Sequence, residues 1–396
     1  DLLSALGDRA TIVAYREALA VAAEPDRPLL RARMGNAAAR EGDLDTAAAV
    51  LDGLEPDGGP ADAAILLAQG NLAYFSGDIE GAGKVAEQVS GLLGPDDTWQ
   101  RLDLLTLQAL VAHHRGELFS RLRLELRRAH DTPALASAVF DPYLCVVEFL
   151  LYGTTPYSEV RSLATSLRDT ARRTGILRAE AFASALLGKA ALLTGNLVEA
   201  KHELQDAADL HREAGAPGGE ASSLQRLAEL RLLQGDRDEA TRLLRQALLL
   251  ARWSIMAPHL VQRIFGTMIL AAADPHAARI VVDQAAETMS LEDRCSFCDI
   301  MLAVPSAIAC ADVGDVEDAY RHLAVAERSS QLWEGTSWQG AILEARAHIS
   351  LSEGDPERAA DLLEEAAKLF TQAGQPLDAA RCQAGLETPV GAHRIA

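Results

Sequence analysis

The sequence predicts an all-α chain of stacked helical hairpins, and three observations support this fold class. Small residues recur at spacings of 7, 5 and 7 positions in one set, Gly188, Gly195, Ala200 and Ala207. The same set returns 40 residues later as Ala228, Gly235, Ala240 and Ala247. An internal repeat of this length is typical of stacked helical hairpins. Aromatic residues make up only 5% of the chain, so the core must consist of Ala and Leu, which suits close helix packing.

Each position of the repeat has a physical reason. Gly188 lies inside a first helix, where a missing side chain lets a second helix approach closely. Gly195 and Gly235 follow the first helices, where the chain needs a left-handed residue to end a helix. Asn196 and Asp236 come next and are suited to cap the second helices. The alanines of the second helices are expected to face the first helix and the next hairpin.

The turn residues extend the repeat through most of the chain and predict about nine hairpins. They are Gly42, Gly77, Gly116, Gly153, Gly195, Gly235, Ala273, Gly314 and Gly354. The fourth unit is the most degenerate, and its Asp141-Pro142 disfavours a helix because a residue before proline avoids the helical region. We therefore expect a linker and capping helix over 1–28, N-terminal repeats over 29–180, C-terminal repeats over 181–386 and a flexible tail over 387–396.

Composition limits the class of partner. The 396 residues include 37 basic and 57 acidic side chains, a net charge of −20, which disfavours binding to nucleic acid phosphates. No apolar run of 18 residues is present, so we expect no contact with a membrane and a cytoplasmic location. Five cysteines, an odd number, argue against a disulfide framework. The missing initiator methionine indicates a piece of a longer protein.

The small-residue pattern over roughly residues 30–385 resembles the tetratricopeptide (TPR) superfamily, which implies a right-handed α-solenoid superhelix. The units are mostly near 40 residues rather than 34, and most of the large aromatics of the TPR consensus are absent. Longer units resemble the MalT-like sensor domains of actinobacterial LuxR-type or AfsR/SARP-type regulators, as do the segments 224–229 and 332–335. This resemblance implies a sensing domain of a larger transcriptional regulator that receives a partner protein, a neighbouring domain or a small effector. No DNA-binding or nucleotide-binding residue of that family can be identified here.

A search for catalytic patterns predicts neither an enzyme nor a cofactor. The sequence contains no G-x-x-x-x-G-K-[ST] loop and no G-x-S-x-G elbow. The segment His202–Asp206 begins like a zinc-protease motif, but Asp206 replaces the second His ligand. His113 and His114 are interpreted as two polar residues in the last turn of a helix, in preference to a ligand pair.

Cys295-x-x-Cys298 is the pattern with the most chemical weight. The segment 290–293 resembles a helix start, which would place both cysteines on the first turns of that helix, where a thiol pKa can be lowered. Neither a second Cys-x-x-Cys pair nor a histidine before His322 follows, so we interpret the cysteines as packing residues and expect no metal. The alternative is a metal- or redox-responsive protein that uses this pair. Pro305 is expected to kink or split the helix after it.

The TPR resemblance assigns four positions of each first helix to the concave face, and these positions mix apolar residues with single charges. The sequence therefore predicts a binding groove in the C-terminal half, with Gln225, Glu229 and Arg263 as polar anchors. The full set of candidate binding residues is Lys189, Gln225, Glu229, Arg263, Glu344 and His348. The alternative is that these charges pair across adjacent repeats, because buried unpaired charges are costly. Trp333 and Trp338 are expected to fill the space between repeats, with ligand contact as the alternative.

Overall fold

The structure is a computed structural model, and it describes residues 11–40, 43–93, 100, 103–104, 107–108, 110–112, 148, 150–252, 254, 257–289 and 295–387. Every regular element within these residues is helical, so the predicted all-α class with helical hairpins is confirmed. No helix in the described part of the chain is long and apolar enough to cross a membrane.

The helices are numbered here in chain order. The N-terminal ones are α1 (Thr11–Val21), α2 (Arg27–Arg40), α3 (Leu44–Leu51), α4 (Asp62–Phe75) and α5 (Ile79–Ser90), with a 3-10 helix at Glu24–Asp26. The central ones are α6 (Tyr157–Thr174), α7 (Leu177–Leu193), α8 (Leu197–Glu213), α9 (Pro217–Leu233), α10 (Arg237–Ala251) and α11 (Ala257–Ala271). The last ones are α12 (Pro275–Thr288), α13 (Asp299–Asp312), α14 (Val316–Ser330), α15 (Ser337–Glu353), α16 (Pro356–Gln372) and α17 (Pro376–Glu387).

The chain divides into two compact units. The first takes the described residues of Asp1–Val146, Leu167–Phe182 and Leu210–Ala216. The second takes those of Val147–Ser166, Ala183–Asp209 and Pro217–Ala396. The division into repeat sets at residues 180 and 181 stays a prediction.

In the first unit, consecutive hairpins are joined by an asparagine pair. Nδ2 of Asn71 on α4 donates a 2.8 Å hydrogen bond to Oδ1 of Asn36 on α2, and both side chains are buried. Asn36 in turn donates to Asp103 over 3.2 Å, and Arg40 contacts the same carboxylate. Both asparagines follow the small residue of their repeat, Gly35 or Gly70, so the pairing reproduces the 35-residue register of the sequence. The bond gives Nδ2 of Asn71 and Oδ1 of Asn36 a partner, which lowers the cost of burying the two amides.

In the second unit, the helices alternate between two roles. Helices α9 and α10, α11 and α12, α13 and α14, and α15 and α16 pack as hairpins. The first helices α9, α11, α13 and α15 also pack against one another in that order, so one face of each contributes to a common wall. This wall carries the candidate functional site.

The predicted turn chemistry is confirmed at the two reference repeats, whereas Gly153, the turn residue expected in the fourth unit, does not have a positive φ. Gly195 and Gly235 end their helices with φ of 83° and 79°, in the left-handed region that favours glycine. The side chain of Asp236 accepts a hydrogen bond from the backbone N–H of Glu239, three residues into α10. Asn196 does the same for Glu199 over 3.3 Å. The four alanines predicted to face inward, at 200, 207, 240 and 247, are fully buried.

The close approach predicted at Gly188 is also present. A Cβ atom placed on Gly188 would lie 2.7 Å from Cγ of Leu204 and 2.9 Å from its backbone nitrogen. Such distances are shorter than van der Waals contact, so no side chain fits there without moving α7 and α8 apart.

Of the two effects expected of Pro305, splitting of the helix is wrong, because α13 runs through Pro305 from Asp299 to Asp312, and a kink there stays a prediction. Proline has no N–H to donate to the carbonyl of Met301 one turn earlier. Gly266 of α11 packs directly on that carbonyl, and a Cβ at position 266 would overlap it. The neighbouring helix thus fills the space around the interrupted turn.

The prediction of a helix that starts near residue 290 and carries both cysteines on its first turns is also wrong. Residues 290–294 lie outside the described residues, and α13 begins only at Asp299 with Cys298 as its N-cap residue. Cys295 and Cys298 therefore lie in a turn before the helix, closed by a 2.9 Å bond from the Cys298 N–H to the Cys295 carbonyl. The predicted irregularity at Asp141-Pro142 and the pair His113-His114 lie outside the described residues.

Candidate functional site

A buried ion network in the second unit includes side chains of α7 and of the wall helices α9 and α11. Its centre is the carboxylate of Glu148, which is fully buried. Oε1 of Glu148 lies 3.0 Å from Nζ of Lys189 on α7 and 2.6 Å from Nη1 of Arg263 on α11. Oε2 of Glu148 accepts a 2.5 Å hydrogen bond from Nη2 of Arg226 on α9. The three cations, 37 residues apart along the sequence, are at most 5% exposed.

A second carboxylate extends the network towards solvent. Nη1 of Arg226 donates to Oε2 of Glu229 over 2.8 Å and to the hydroxyl of Tyr152 over 3.0 Å. Nε2 of Gln225 donates to Oε1 of Glu229 over 2.6 Å and contacts the hydroxyl of Thr267 at 2.7 Å. Gln225, Glu229 and Arg226 therefore hold one another in fixed positions.

The balance of charge in the network shifts two pKa values. Burial alone would raise the pKa of Glu148, but Arg226, Lys189 and Arg263 outweigh burial and hold that pKa well below its ordinary value of 4.5. Burial lowers the pKa of Lys189 against the attraction of Glu148, and the two guanidinium groups lower it further, to about 8. Since arginine keeps its proton at any ordinary pH, Lys189 is the cation of the network that loses its proton first.

Next to the network lies a pocket of about 420 Å³ in the second unit. Part of its lining is apolar, including Leu192, Leu232, Leu270, Met301, Val304 and Ile308. Charged and amide side chains also line it, including Gln225, Glu229, Arg237, Arg263, Glu344 and Arg381. A concave, mostly apolar surface with a few fixed polar groups is the usual form of a ligand site.

The six predicted binding residues divide into three groups. Gln225, Glu229, Arg263 and Glu344 line the pocket. Lys189 lies in the buried network with its ammonium group on Glu148 and on the hydroxyl of Ser222. Whether the pocket binds a partner stays a prediction, but the interpretation of these charges as isolated is wrong, because each has a partner of opposite charge or a hydrogen-bonding neighbour.

Glu344 and the last candidate, His348, also pair across repeats. Both oxygens of Glu344 accept 2.7 Å hydrogen bonds from Arg381 of α17. Nδ1 of His348 lies 2.7 Å from Oδ1 of Asp312. Burial lowers the pKa of His348, but the hydrogen bond and charge of Asp312 outweigh burial and raise it above its ordinary value. His348 does not line the pocket and holds α15 to the end of α13.

The two tryptophans have different environments. Trp333 is buried, and its Nε1 donates a 3.1 Å hydrogen bond to the carbonyl of Phe297, as expected of a residue that fills space between repeats. Trp338 lines the pocket, and its ring centroid is 4.7 Å from that of Tyr152. No acceptor for the buried Nε1 of Trp338 is present among the residues that the structure describes.

Cys295 and Cys298 have a neighbour that the sequence analysis did not identify. Nδ1 of His259 on α11 lies 3.8 Å from Sγ of Cys298, and one ligand atom from each of His259, Cys295 and Cys298 lies within 4.8 Å of the others. Burial lowers the pKa of His259, but interactions with Cys295 and Cys298 outweigh burial and raise it to about 10. His259 precedes the pair by 36 residues, so the absence of a histidine between Cys298 and His322 in the sequence did not reveal this neighbour. His202, by contrast, is 74% exposed and lies 3.6 Å from Asp206.

Sequence reasoning missed Glu148, Arg226 and Tyr152. Glu148 and Tyr152 lie in the degenerate fourth unit, where the repeat gave no register from which to assign a face. Arg226 was not predicted, because the TPR resemblance does not place its position among the four concave-face positions of a first helix. The equal spacing of basic residues at 189, 226 and 263 was a usable signal, because like charges repeated on adjacent first helices require a shared counter-ion.

No model of a protein family matches the sequence, and no curated protein is significantly similar to it. The fold is similar to that of a Rap protein solved in complex with Competence and Sporulation Factor. That similarity has a TM-score of 0.50 at 12% identity over 82% of this chain and 96% of that chain. A second similar structure is the Cut9–Hcn1 hetero-tetramer of APC/C, with a TM-score of 0.42 at 14% identity over 97% of this chain and 82% of that chain. A third is yeast Tom70, with a TM-score of 0.30 at 13% identity over 95% of this chain and 91% of that chain. The chain thus has a helical-repeat fold similar to that of the Rap protein.

Proposed function

We propose that this chain is a non-catalytic interaction domain whose second unit receives an apolar segment of a protein or peptide partner in the 420 Å³ pocket. The observation that carries the proposal is the combination of an apolar lining with polar side chains already fixed by the buried network. Gln225, Glu229 and Arg263 are oriented before a partner arrives, so little side-chain entropy is lost on binding.

Charge and fold support a protein partner over other classes. A net charge of −20 opposes nucleic acid. The Rap protein that shares the fold was solved with Competence and Sporulation Factor bound, and we propose a comparable receptor role here. Following the MalT-like resemblance, we further propose that the chain is the sensor part of a larger bacterial transcriptional regulator. Its natural partner is then a neighbouring domain, another protein or a small effector.

The test starts from peptides selected by phage display on the immobilised chain, followed by fluorescence polarisation with labelled synthetic copies. Ile308→Trp fills the pocket and is expected to weaken binding at least about tenfold, because the added ring occupies the volume of an apolar anchor. Ile280→Trp is the matched control, since Ile280 lies 57% exposed on α12 and does not line the pocket. It is expected to bind like the wild type.

Circular dichroism checks that both variants remain folded. If Ile308→Trp fails to fold, Leu270→Trp replaces it, because Leu270 lines the pocket and is already 55% exposed. The proposal is contradicted if every selected peptide binds the Trp variant as tightly as the wild type. It is also contradicted if no peptide is selected.

A further inference from the structure

We propose that His259, Cys295 and Cys298 form a binding site for a thiophilic divalent ion of the Zn²⁺ class. The three side chains supply one imidazole nitrogen and two sulfurs, the donor types that zinc prefers in proteins. The expectation of no metal rested on the absence of a second Cys-x-x-Cys pair and of a histidine between Cys298 and His322. His259, 36 residues before Cys295, provides that ligand from the facing helix.

The separations fit the coordination geometry. Bonds of about 2.3 Å to sulfur and 2.0 Å to nitrogen in a tetrahedron place the two ligand atoms about 3.6 Å apart. Nδ1 of His259 and Sγ of Cys298 are 3.8 Å apart, and all three ligand atoms lie within 4.8 Å of one another. Small side-chain rotations therefore bring the three atoms to bonding distance of one ion, without backbone movement.

The turn that carries the cysteines is held by the facing helix. Oε1 of Gln262, three residues after His259 on α11, accepts a 3.2 Å hydrogen bond from the backbone N–H of Cys295. Nε2 of the same amide donates to Oδ1 of Asp299 over 2.6 Å. Residues three apart share one helix face, so Gln262 and His259 both face the cysteine turn, and Gln262 holds the turn next to the imidazole. Outer contacts of this kind orient metal ligands.

The carbonyl between the cysteines is anchored as well. The Phe297 carbonyl accepts hydrogen bonds from Nε1 of Trp333 at 3.1 Å and from Oγ of Ser329 at 3.2 Å. The same hydroxyl of Ser329 accepts from the Ile300 N–H at 3.3 Å. Side chains of α11, of α14 and of the loop after α14 therefore hold both ends and the middle of this turn in place.

The local charge is compatible with a bound divalent cation. Two thiolates neutralise the ion, so the buried charge around it does not increase. Nη2 of Arg263 lies 3.6 Å from Sγ of Cys298 while its Nη1 remains on Glu148. Cysteine binds a metal ion through its thiolate sulfur. Cys298 is fully buried, whereas Cys295 and His259 are half-buried, so an ion enters from their side and a water completes the tetrahedron.

The experiment uses the full chain, purified under reducing conditions, stripped with a chelator and titrated with Co²⁺ as a spectroscopic probe. We expect thiolate-to-cobalt charge-transfer absorption that saturates at one equivalent and disappears on addition of Zn²⁺. Cys295→Ser, Cys298→Ser and His259→Gln are each expected to lower Zn²⁺ affinity by more than the roughly 10–100-fold that loss of an outer contact costs. Cys310→Ser is the matched control, because Cys310 is another buried cysteine on α13 and lies outside the cluster.

Cys295→Ser keeps the test decisive if a variant at the fully buried Cys298 fails to fold, because Cys295 is half-buried in a turn. The proposal is wrong if the reduced wild type gives no charge-transfer absorption, or if Cys295→Ser and Cys310→Ser bind Zn²⁺ equally well. It is also wrong if mass spectrometry finds a Cys295–Cys298 disulfide after exposure to air and the reduced chain takes up no Co²⁺, since the pair is then a redox element.

Discussion

The ammonium group of Lys189 lies 3.0 Å from the carboxylate of Glu148, and both side chains are almost completely buried. Arg226 and Arg263 contact the same carboxylate, so Glu148 is the common counter-ion of three cations on three successive first helices. Removal of one partner of a buried ion pair leaves the other charge without compensation. The stability of the second unit should therefore depend on this one carboxylate.

Glu148→Gln keeps the shape of the side chain and removes its charge. We expect it to lower the free energy of unfolding by about 3–5 kcal/mol, because three buried cations lose their counter-ion. Urea denaturation followed by circular dichroism measures this change. Glu239→Gln is the matched control, since Glu239 pairs with Arg242 at the surface and exposed pairs contribute less than about 1 kcal/mol. Equal losses in the two variants contradict a central role for Glu148.

The network should also give the free energy of unfolding a characteristic dependence on pH. The folded-state pKa of Glu148 is below 4.5, so its contribution is present above pH 4.5 and is lost as the pH falls below that value. The folded-state pKa of Lys189 is lowered from 10.5 to about 8, so between these values the unfolded chain binds a proton that the folded chain does not. Stability should therefore rise with pH across that window.

Urea titrations at a series of pH values test the alkaline rise. Lys189→Met removes the titrating group and should flatten the profile between pH 8 and 10.5. Since one pKa unit corresponds to about 1.4 kcal/mol, the rise that is lost is on the order of 3 kcal/mol in the free energy of unfolding. Lys368→Met, at an exposed lysine of α16, should keep the wild-type profile. A profile that is flat in the wild type, or unchanged in Lys189→Met, shows that Lys189 does not titrate in this range.

The contact between Gly266 and the Met301 carbonyl predicts an unusual response to alanine. Alanine normally stabilises a helix relative to glycine by roughly 0.5–1 kcal/mol. Gly266→Ala should instead destabilise by about 1–3 kcal/mol, because its methyl group overlaps a backbone oxygen of α13. In Gly385→Ala the methyl group meets Leu363 Cδ1 at 3.1 Å, the flexible end of a side chain, and the change should be close to neutral. Thermal unfolding of both variants measures the contrast, and a stabilised Gly266→Ala would show that α11 and α13 are not in contact there.

The two tryptophans offer a matched pair. Trp333→Phe removes a buried hydrogen bond to the Phe297 carbonyl, whereas Trp338→Phe removes an N–H that has no acceptor among the described residues. The volume lost is the same, so Trp333→Phe should cost about 1–3 kcal/mol more than Trp338→Phe. Chemical denaturation of the two variants in parallel gives the difference. A larger loss in Trp338→Phe would mean that its N–H is bonded in solution.

The turns and the close helix contacts could be predicted from the sequence because their requirements are local. Gly195 and Gly235 must adopt positive φ, and Asp236 caps the helix that begins one residue later. Gly188 and the buried alanines follow from how closely two consecutive helices approach. Such requirements return in every repeat, so the register of one hairpin predicts that of the next. Pro305 shows the limit of this reasoning, because the space around its interrupted turn is supplied by Gly266 of another hairpin.

The chain's own sequence thus determined the all-α class, the glycine turns of the two reference repeats and their inward-facing alanines, since these depend on spacing along one or two helices. Only the tertiary structure decided which charges meet. Glu148 lies 41 residues from Lys189 and 78 from Arg226, and His259 reaches two cysteines from a separate helix. The energy of a buried charge or a metal ligand depends on atoms a few ångströms away in space, and neither composition nor periodicity records which side chains those are.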